Sequence, residues 1–282
     1  MPTRFARLTL PLLLSTLAAP VAAQGLPTSQ PRFLTIYREE VKPGRGADHA
    51  KVEAGWPGAF AKARFPGYYL AMVSVTGPNE AWFISPNSSF TEMDDQSRQV
   101  GADPVLSAEL DRLARLDAEL LTGARAIQAV ARGDLNHGAY PDIARQRFWN
   151  ITWYRVRPGH EAEFGAAIQA FGAAAGRAAP EFSFRTYEII AGAARPAFLV
   201  FTSIETYGAM DQVRTWFEQT LKGATPEELA IIEKGFREAI LSYETNRYRL
   251  DPGMSSVSAE VRATDPKFWN PKKPAAKAAS QP

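Results

Sequence analysis

The sequence has no cysteine among its 282 residues. That excludes disulfides, a thiolate nucleophile and any cysteine-ligated metal. Histidine is scarce, with three in the whole chain, so His49, His137 and His160 are the first candidates for metal or acid–base chemistry. Long apolar runs are missing too: Leu8 to Leu17 spans about ten residues, against the 18 or more of a spanning helix. Nor does one sign of charge dominate. The formal charge is +2, and with Arg4 and Arg7 set aside basic and acidic side chains balance at 30 each. A protein that neutralises many phosphates needs a clear basic excess, so no nucleic-acid partner is expected. There is no Gly-x-Ser-x-Gly elbow and no His-Glu-x-x-His. Gly44-Arg45-Gly46 lacks both the P-loop spacing and the third glycine of a dinucleotide fingerprint.

What is present is an ordinary globular composition, 45% hydrophobic and 22% charged, over about two domains' length. Residues 1–23 read as a secretory signal peptide: Arg4 and Arg7, a short apolar run, then Val21-Ala22-Ala23 with small residues before the cleavage point. Pro11 and Pro20 argue against a buried first helix. The chain is therefore expected to be exported, periplasmic or extracellular, with a mature start near Gln24, a linker over 24–32 and no transmembrane anchor.

Three landmarks recur in one order. Val41-Lys42-Pro43-Gly44 matches Val156-Arg157-Pro158-Gly159 at an offset of 115. Met93-Asp94 matches Met210-Asp211 at 117, and Arg147-Phe148-Trp149-Asn150 matches Lys267-Phe268-Trp269-Asn270 at 120. A period this long predicts duplicated domains rather than a solenoid, over 33–147 and 148–264, with a flexible basic tail over 265–282.

Local patterns fill in each half. Phe33 to Val41 and Phe148 to Val156 are β-branched and aromatic and stop at Pro-Gly, which predicts strands. Val52, Trp56, Phe60 and Ala63, and Phe164, Ile168, Phe171 and Ala175, recur at helical spacing, with Pro57 expected to kink or split the first helix. Tyr68–Thr76 with Ala81–Ser85, and Phe182–Ile190 with Ala197–Thr202, read as hairpins. Ser89 to Glu92, Asp103-Pro104 and Thr225-Pro226 mark helix starts. Final strands are expected near Ala126–Ala131 and Thr245–Leu250.

The order strand, helix, strand, strand, helix, strand is the split βαβ or ferredoxin-like unit. On that order and its doubling, the chain over about residues 33–250 resembles the dimeric α/β-barrel superfamily, which includes antibiotic-biosynthesis monooxygenase-like and NIPSNAP-like proteins. The expected class is α+β: two tandem ferredoxin-like repeats packed on each other as a pseudo-dimeric α/β barrel. The resemblance implies a small hydrophobic or aromatic ligand between sheet and helices.

His160 and His49 each lie near a helix start beside carboxylates with which they could bind a metal; ligation wants three or four convergent groups and neither neighbourhood supplies more than two or three on one helical face, so no metal is expected and both are read as exposed first-turn residues. His137 falls in a loop. Glu39-Glu40 and Asp94-Asp95 point apart and read as solvated faces. An aromatic population remains, and Tyr37, Trp56, Tyr69, Trp82, Trp153 and Phe184, with Arg155 and Arg185, are the candidate ligand-binding residues. The same rings would serve simply to fill two cores. Arg38, Arg155 and Arg185 sit on strands and are expected to line a wet face or interface rather than to be buried, whereas an inward arginine would signal an anionic ligand. Two readings follow: a non-catalytic carrier or scaffold for a small hydrophobic ligand, or a cofactor-independent monooxygenase-like enzyme on a small aromatic compound. No cofactor is indicated; a third reading, haem, requires a histidine that faces a pocket.

Overall fold

A computed structural model of the protein describes residues 25–270. The proposed leader, 1–23, and the end of the basic tail, 271–282, lie outside the described residues.

Eight strands, β1 (Phe33–Val41), β2 (Tyr69–Ser74), β3 (Glu80–Asn87), β4 (Leu121–Ala131), β5 (Phe148–Val156), β6 (Arg185–Ala191), β7 (Ala197–Ile204) and β8 (Ile240–Ser256), close into an antiparallel barrel. Their order is β1-β3-β2-β8-β5-β7-β6-β4. Each block of four therefore runs fourth, first, third, second, the strand order of a ferredoxin-like unit. The blocks join through β2 with β8 (Met72 opposite Leu250) and β4 with β6 (Val130 opposite Glu188). Closure leaves no exposed edge. The class is α+β, compatible with a pseudo-dimeric ferredoxin-like barrel.

Alternation along each strand sorts side chains into lumen and outer face. The middle of the lumen is filled by Ile36, Ile127, Ile189, Leu199 and Leu250, all essentially without exposure. It is a packed core rather than a channel. Helices α1 (Gly46–Glu53), α2 (Gly55–Lys62), α3 (Phe90–Ala102) and α4 (Pro104–Ala118) cover the first block, and α5 (Glu161–Ala178), α6 (Met210–Gly223) and α7 (Pro226–Lys234) the second. Both strand-to-helix turns use the expected glycines in the left-handed region, Gly44 at φ 78° and Gly159 at φ 87°.

The helix expected over Val52–Ala63 is split, with its break at Ala54. Pro57 falls in the first turn of α2, where its missing N–H leaves no helical bond unmade. Thr225 and Glu228 form the reciprocal capping box, whereas Glu92 accepts from Ser88 rather than from the cap residue Ser89. Two expectations fail. Phe148-Trp149-Asn150 lies on β5, but Lys267 to Asn270 ends a short helix, α9 (Pro266–Trp269), so that landmark pair is not structurally equivalent. Nor is the chain loose from 265: Asp265 caps α9, and Trp269 is fully buried with Val261 of α8 (Ala259–Thr264) against the lumen cluster. A tryptophan with so much apolar surface fixes the chain that carries it.

Candidate functional site

One end of the lumen is closed by an internal ion pair. Arg38 Nε donates to Glu80 Oε2 at 2.7 Å, Trp82 Nε1 donates to the same oxygen at 2.7 Å, and Trp153 flanks the guanidinium. This inward arginine has its carboxylate already.

The other end holds a cavity of about 90 Å³. Inward residues of the strands line it, among them Leu34, Leu70, Met72, Ile84, Trp149 and Phe201, and Tyr68, Tyr140, Pro141 and Ile143 close over it from the loops. Arg185, first residue of β6, lies in its wall and is 8% exposed. Its Nη1 donates to the carbonyls of His137 and Phe184, each at 2.6 Å, and its Nη2 to that of Gly138 at 2.8 Å. No carboxylate pairs with it among the described residues. Burial pushes this guanidinium down, opposed by Tyr140 and Tyr187. Burial also pushes the Tyr140 hydroxyl up to about 12, and those of Tyr68 and Tyr187 higher, so all three are neutral hydroxyls at neutral pH. The mouth is an apolar cup with three hydroxyls and one cation lacking a counter-charge.

A second constellation lies outside the barrel, under the helices of the first block. Glu39 of β1, His49 and Glu53 of α1 and Asp117 of α4 bring one ligand atom each to within 4.8 Å of one another. His49 Nε2 is 2.9 Å from Glu39 Oε2 and 3.5 Å from Asp117 Oδ1. Burial, reinforced by Glu39 and Asp117, drives the Glu53 carboxyl up to about 9. Burial raises Asp117 too, with Glu39 adding and His49 opposing. Tyr69, whose Oη is buried without a partner, is held above its ordinary value by burial and by Glu53 and Glu39. The expected exposure of His49 and the solvated face assigned to Glu39 are thus both corrected. His49 is 2% exposed, and α4 supplies the group that no single helical face could. Spacing by itself marks only His49 and Glu53, which share a helix face at i and i+4.

The eight aromatic and arginine candidates do not converge. Of them only Arg185 lines the mouth cavity. Trp82 lies buried in the lumen at the Arg38–Glu80 end, while Trp153 and the exposed Arg155 rim that end. Tyr69 and Trp56 pack under the first block's helices, Phe184 is buried under α5, and Tyr37 is exposed at 53%. Strand alternation explains the split: Phe184 and Arg185 are adjacent and necessarily face opposite sides. Tyr68, Tyr140 and Trp149 complete the mouth, and the last two carried no signal beyond being aromatic.

A haem would need a histidine facing a cavity. His49 is enclosed by carboxylates and His160 lies at the surface near Glu163. His137 packs against Phe184, and its Nε2 is buried without a partner. None of the three lines the mouth cavity, so the residues present do not fit that group.

No protein-family model matches the chain, and no curated protein matches it by sequence. Solved structures do match its fold. A proposed monooxygenase from Fusobacterium nucleatum superposes with a TM-score of 0.54 at 8% identity, over 78% of this chain and 92% of that one. An anthrone oxidase-like protein gives 0.54 at 13%, over 79% and 92%. A chlorite dismutase variant from Candidatus Nitrospira defluvii gives 0.50 at 12%, over 84% and 96%. What is shared at these identities is the fold alone. Among the described residues no helix is long and apolar enough to cross a membrane.

Proposed function

We propose that the protein binds a small molecule with an apolar, one-ring body and one anionic edge at the barrel mouth. A single observation carries this reading: Arg185 is buried in the cavity wall with backbone carbonyls and the face of the Tyr140 ring as its partners and, among the described residues, no carboxylate. A buried cation without a counter-charge is costly, and an incoming carboxylate or phenolate relieves that cost. The cavity is small beside the ~300–1,000 Å³ of a drug-sized site, which sets the scale of the ligand. The Tyr68 and Tyr140 hydroxyls supply neutral donors for the same edge, whereas that of Tyr187 already donates to the Pro31 carbonyl. The filled centre of the lumen fits a carrier more than a channel.

Within this reading the chain arose by duplication of one ferredoxin-like unit, supported by the matching strand orders of the two blocks, and it is exported by its first 23 residues. A monooxygenase-like reaction on a small aromatic compound is the alternative, supported by the names of two fold neighbours. No side chain of the mouth is assigned a catalytic role.

Calorimetric titration with benzoate, benzamide and benzyl alcohol tests the binding. Benzoate is expected to bind tightest, and Arg185→Met to remove that preference. A hydrogen bond to a charged group contributes about 1.5–3 kcal/mol, roughly ten- to a hundredfold in affinity. Equal binding of the three compounds, or none, would sink the proposal, and that outcome needs no variant to fold. Oxygen uptake with phenols and quinols separates enzyme from carrier.

A further inference from the structure

We infer that Glu39, His49, Glu53 and Asp117 form a binding site for one divalent first-row transition-metal ion, independent of the ligand proposed for the barrel mouth. Three carboxylates and an imidazole converge from three elements, with their ligand atoms within 4.8 Å of one another. Ligand atoms held at about 2.1 Å from a metal stand about 3.0–3.4 Å apart, so small rotamer adjustments complete the shell.

A second observation points into the same space. The Asp117 side chain is 7% exposed, and its Oδ1 is buried with no hydrogen-bond partner, 3.5 Å from His49 Nε2. Buried polar atoms are nearly always partnered, and an orphaned carboxylate oxygen among other acids calls for a cation. No lysine or arginine pairs with any of the four among the described residues; His49 is their one basic partner. Tyr69 Oη, also buried without a partner, and the Trp56 indole beside Glu53 are available to orient the carboxylates from outside the shell. Glu39, with its side chain 16% exposed, gives the ion an edge to enter by.

The chain itself supplies an internal control. Glu39 stands two residues before the bulge at the end of β1, and Tyr154 two before that at the end of β5. His49 and Glu53 are the fourth and eighth residues of α1, and Phe164 and Ile168 the fourth and eighth of α5. Asp117 precedes β4 by four residues, as Phe236 precedes β8. Where the second block has four apolar or aromatic side chains of one packed cluster, the first has four metal-ligating ones. Packing a helix on a sheet needs only the former.

The donor set selects the ion. One imidazole with carboxylates and no thiolate suits Mn²⁺, Fe²⁺ or Zn²⁺, whereas Ca²⁺ and Mg²⁺ prefer oxygen alone. Binding consists of carboxylate and imidazole coordination, with any carboxyl proton released to solvent.

The test is titration of the full chain, stripped with a chelator, with Mn²⁺ alone and with Zn²⁺ alone. Calorimetry gives stoichiometry, and electron spin-echo spectroscopy of the Mn²⁺ form detects a bound nitrogen. One ion per chain, a ¹⁴N coupling lost in His49→Gln, and roughly tenfold or greater weakening in Glu53→Gln are expected, because even outer-shell changes cost about 10–100-fold. Tyr154→Phe, in the second block, is expected to leave binding unchanged. Absence of uptake at one equivalent, an ion without nitrogen coupling, or affinity indifferent to Glu53→Gln would overturn the site. The stoichiometry and coupling of the unaltered protein decide even if a variant fails to fold.

Discussion

Under α5, Phe164 stacks on Phe198 with ring centroids 4.6 Å apart, and Tyr154 lies 5.4 Å from Phe164 and 6.1 Å from Phe236. Under α1 the corresponding volume holds His49, Glu53, Glu39 and Asp117, with Phe83 as its aromatic wall, 6.4 Å from the imidazole. One layer is stabilised by removing apolar surface from water, at about 25 cal/mol per Å². The other keeps three acids dry and gains stability only if protons or a cation neutralise them. The same backbone plan thus supports a layer whose stability is indifferent to pH and metal, and one that responds to both.

The largest effect is expected where that indifference is strongest. Phe164→Ala should destabilise the protein by about 3–5 kcal/mol through lost burial and the cavity left behind, read from the denaturant midpoint at unchanged slope. A cost under ~1 kcal/mol would mean that the second layer is not the tighter one.

Next comes the first layer, in metal-free protein. Glu53 has its folded value raised from the ordinary 4.5 to about 9, so the folded state holds a proton that the unfolded state has released. Its contribution to stability is fully present below about 4.5 and is lost as pH rises through about 9. Asp117, also raised, acts in the same sense at lower pH. Glu39, His49 and Tyr69 are the other titratable groups facing Glu53. The thermal midpoint should therefore fall between pH 5 and 9, and Glu53→Gln, a permanent mimic of the protonated acid, should flatten that fall. A midpoint that rises over the range would show that the cluster is not buried as a protonated unit.

The smallest effect separates the buried centre of one helix face from its exposed margin. Leu113 and Leu116 are both on α4, at 3% and 45% exposure. Leu116→Ala should change stability by no more than about 0.5 kcal/mol, the usual range for a surface site, whereas Leu113→Ala should cost about 2–3 kcal/mol. Equal losses would mean that α4 is rotated and Asp117 does not face the cluster.

Much of the fold was legible because its signals are local. The Pro-Gly stops, the helical spacing of Phe164, Ile168 and Phe171, and the caps at Asp103 and Thr225 each depend on a few neighbouring residues, and all found their elements. The last strands were placed but cut short: β4 runs over Leu121–Ala131 and β8 over Ile240–Ser256, well beyond the expected Ala126–Ala131 and Thr245–Leu250. The Lys267-Phe268-Trp269-Asn270 match failed because four residues of shared composition do not carry a register.

The amino-acid order by itself settled that this chain has no thiol chemistry, where its turns and caps fall, and that strands and helices alternate twice in one pattern. Only the closed barrel decided which of two adjacent residues meets the lumen, so that Arg185 enters a cavity and Phe184 a helix interface. Only helix packing brought Asp117 to Glu39 and His49; between His49 and Asp117 the chain runs through a helix, a hairpin and one further helix. Turns, caps and periodicity are properties of nearest neighbours along the backbone. A buried charge cluster is a property of neighbours in space, and its energetics appear only once water has been excluded from all sides.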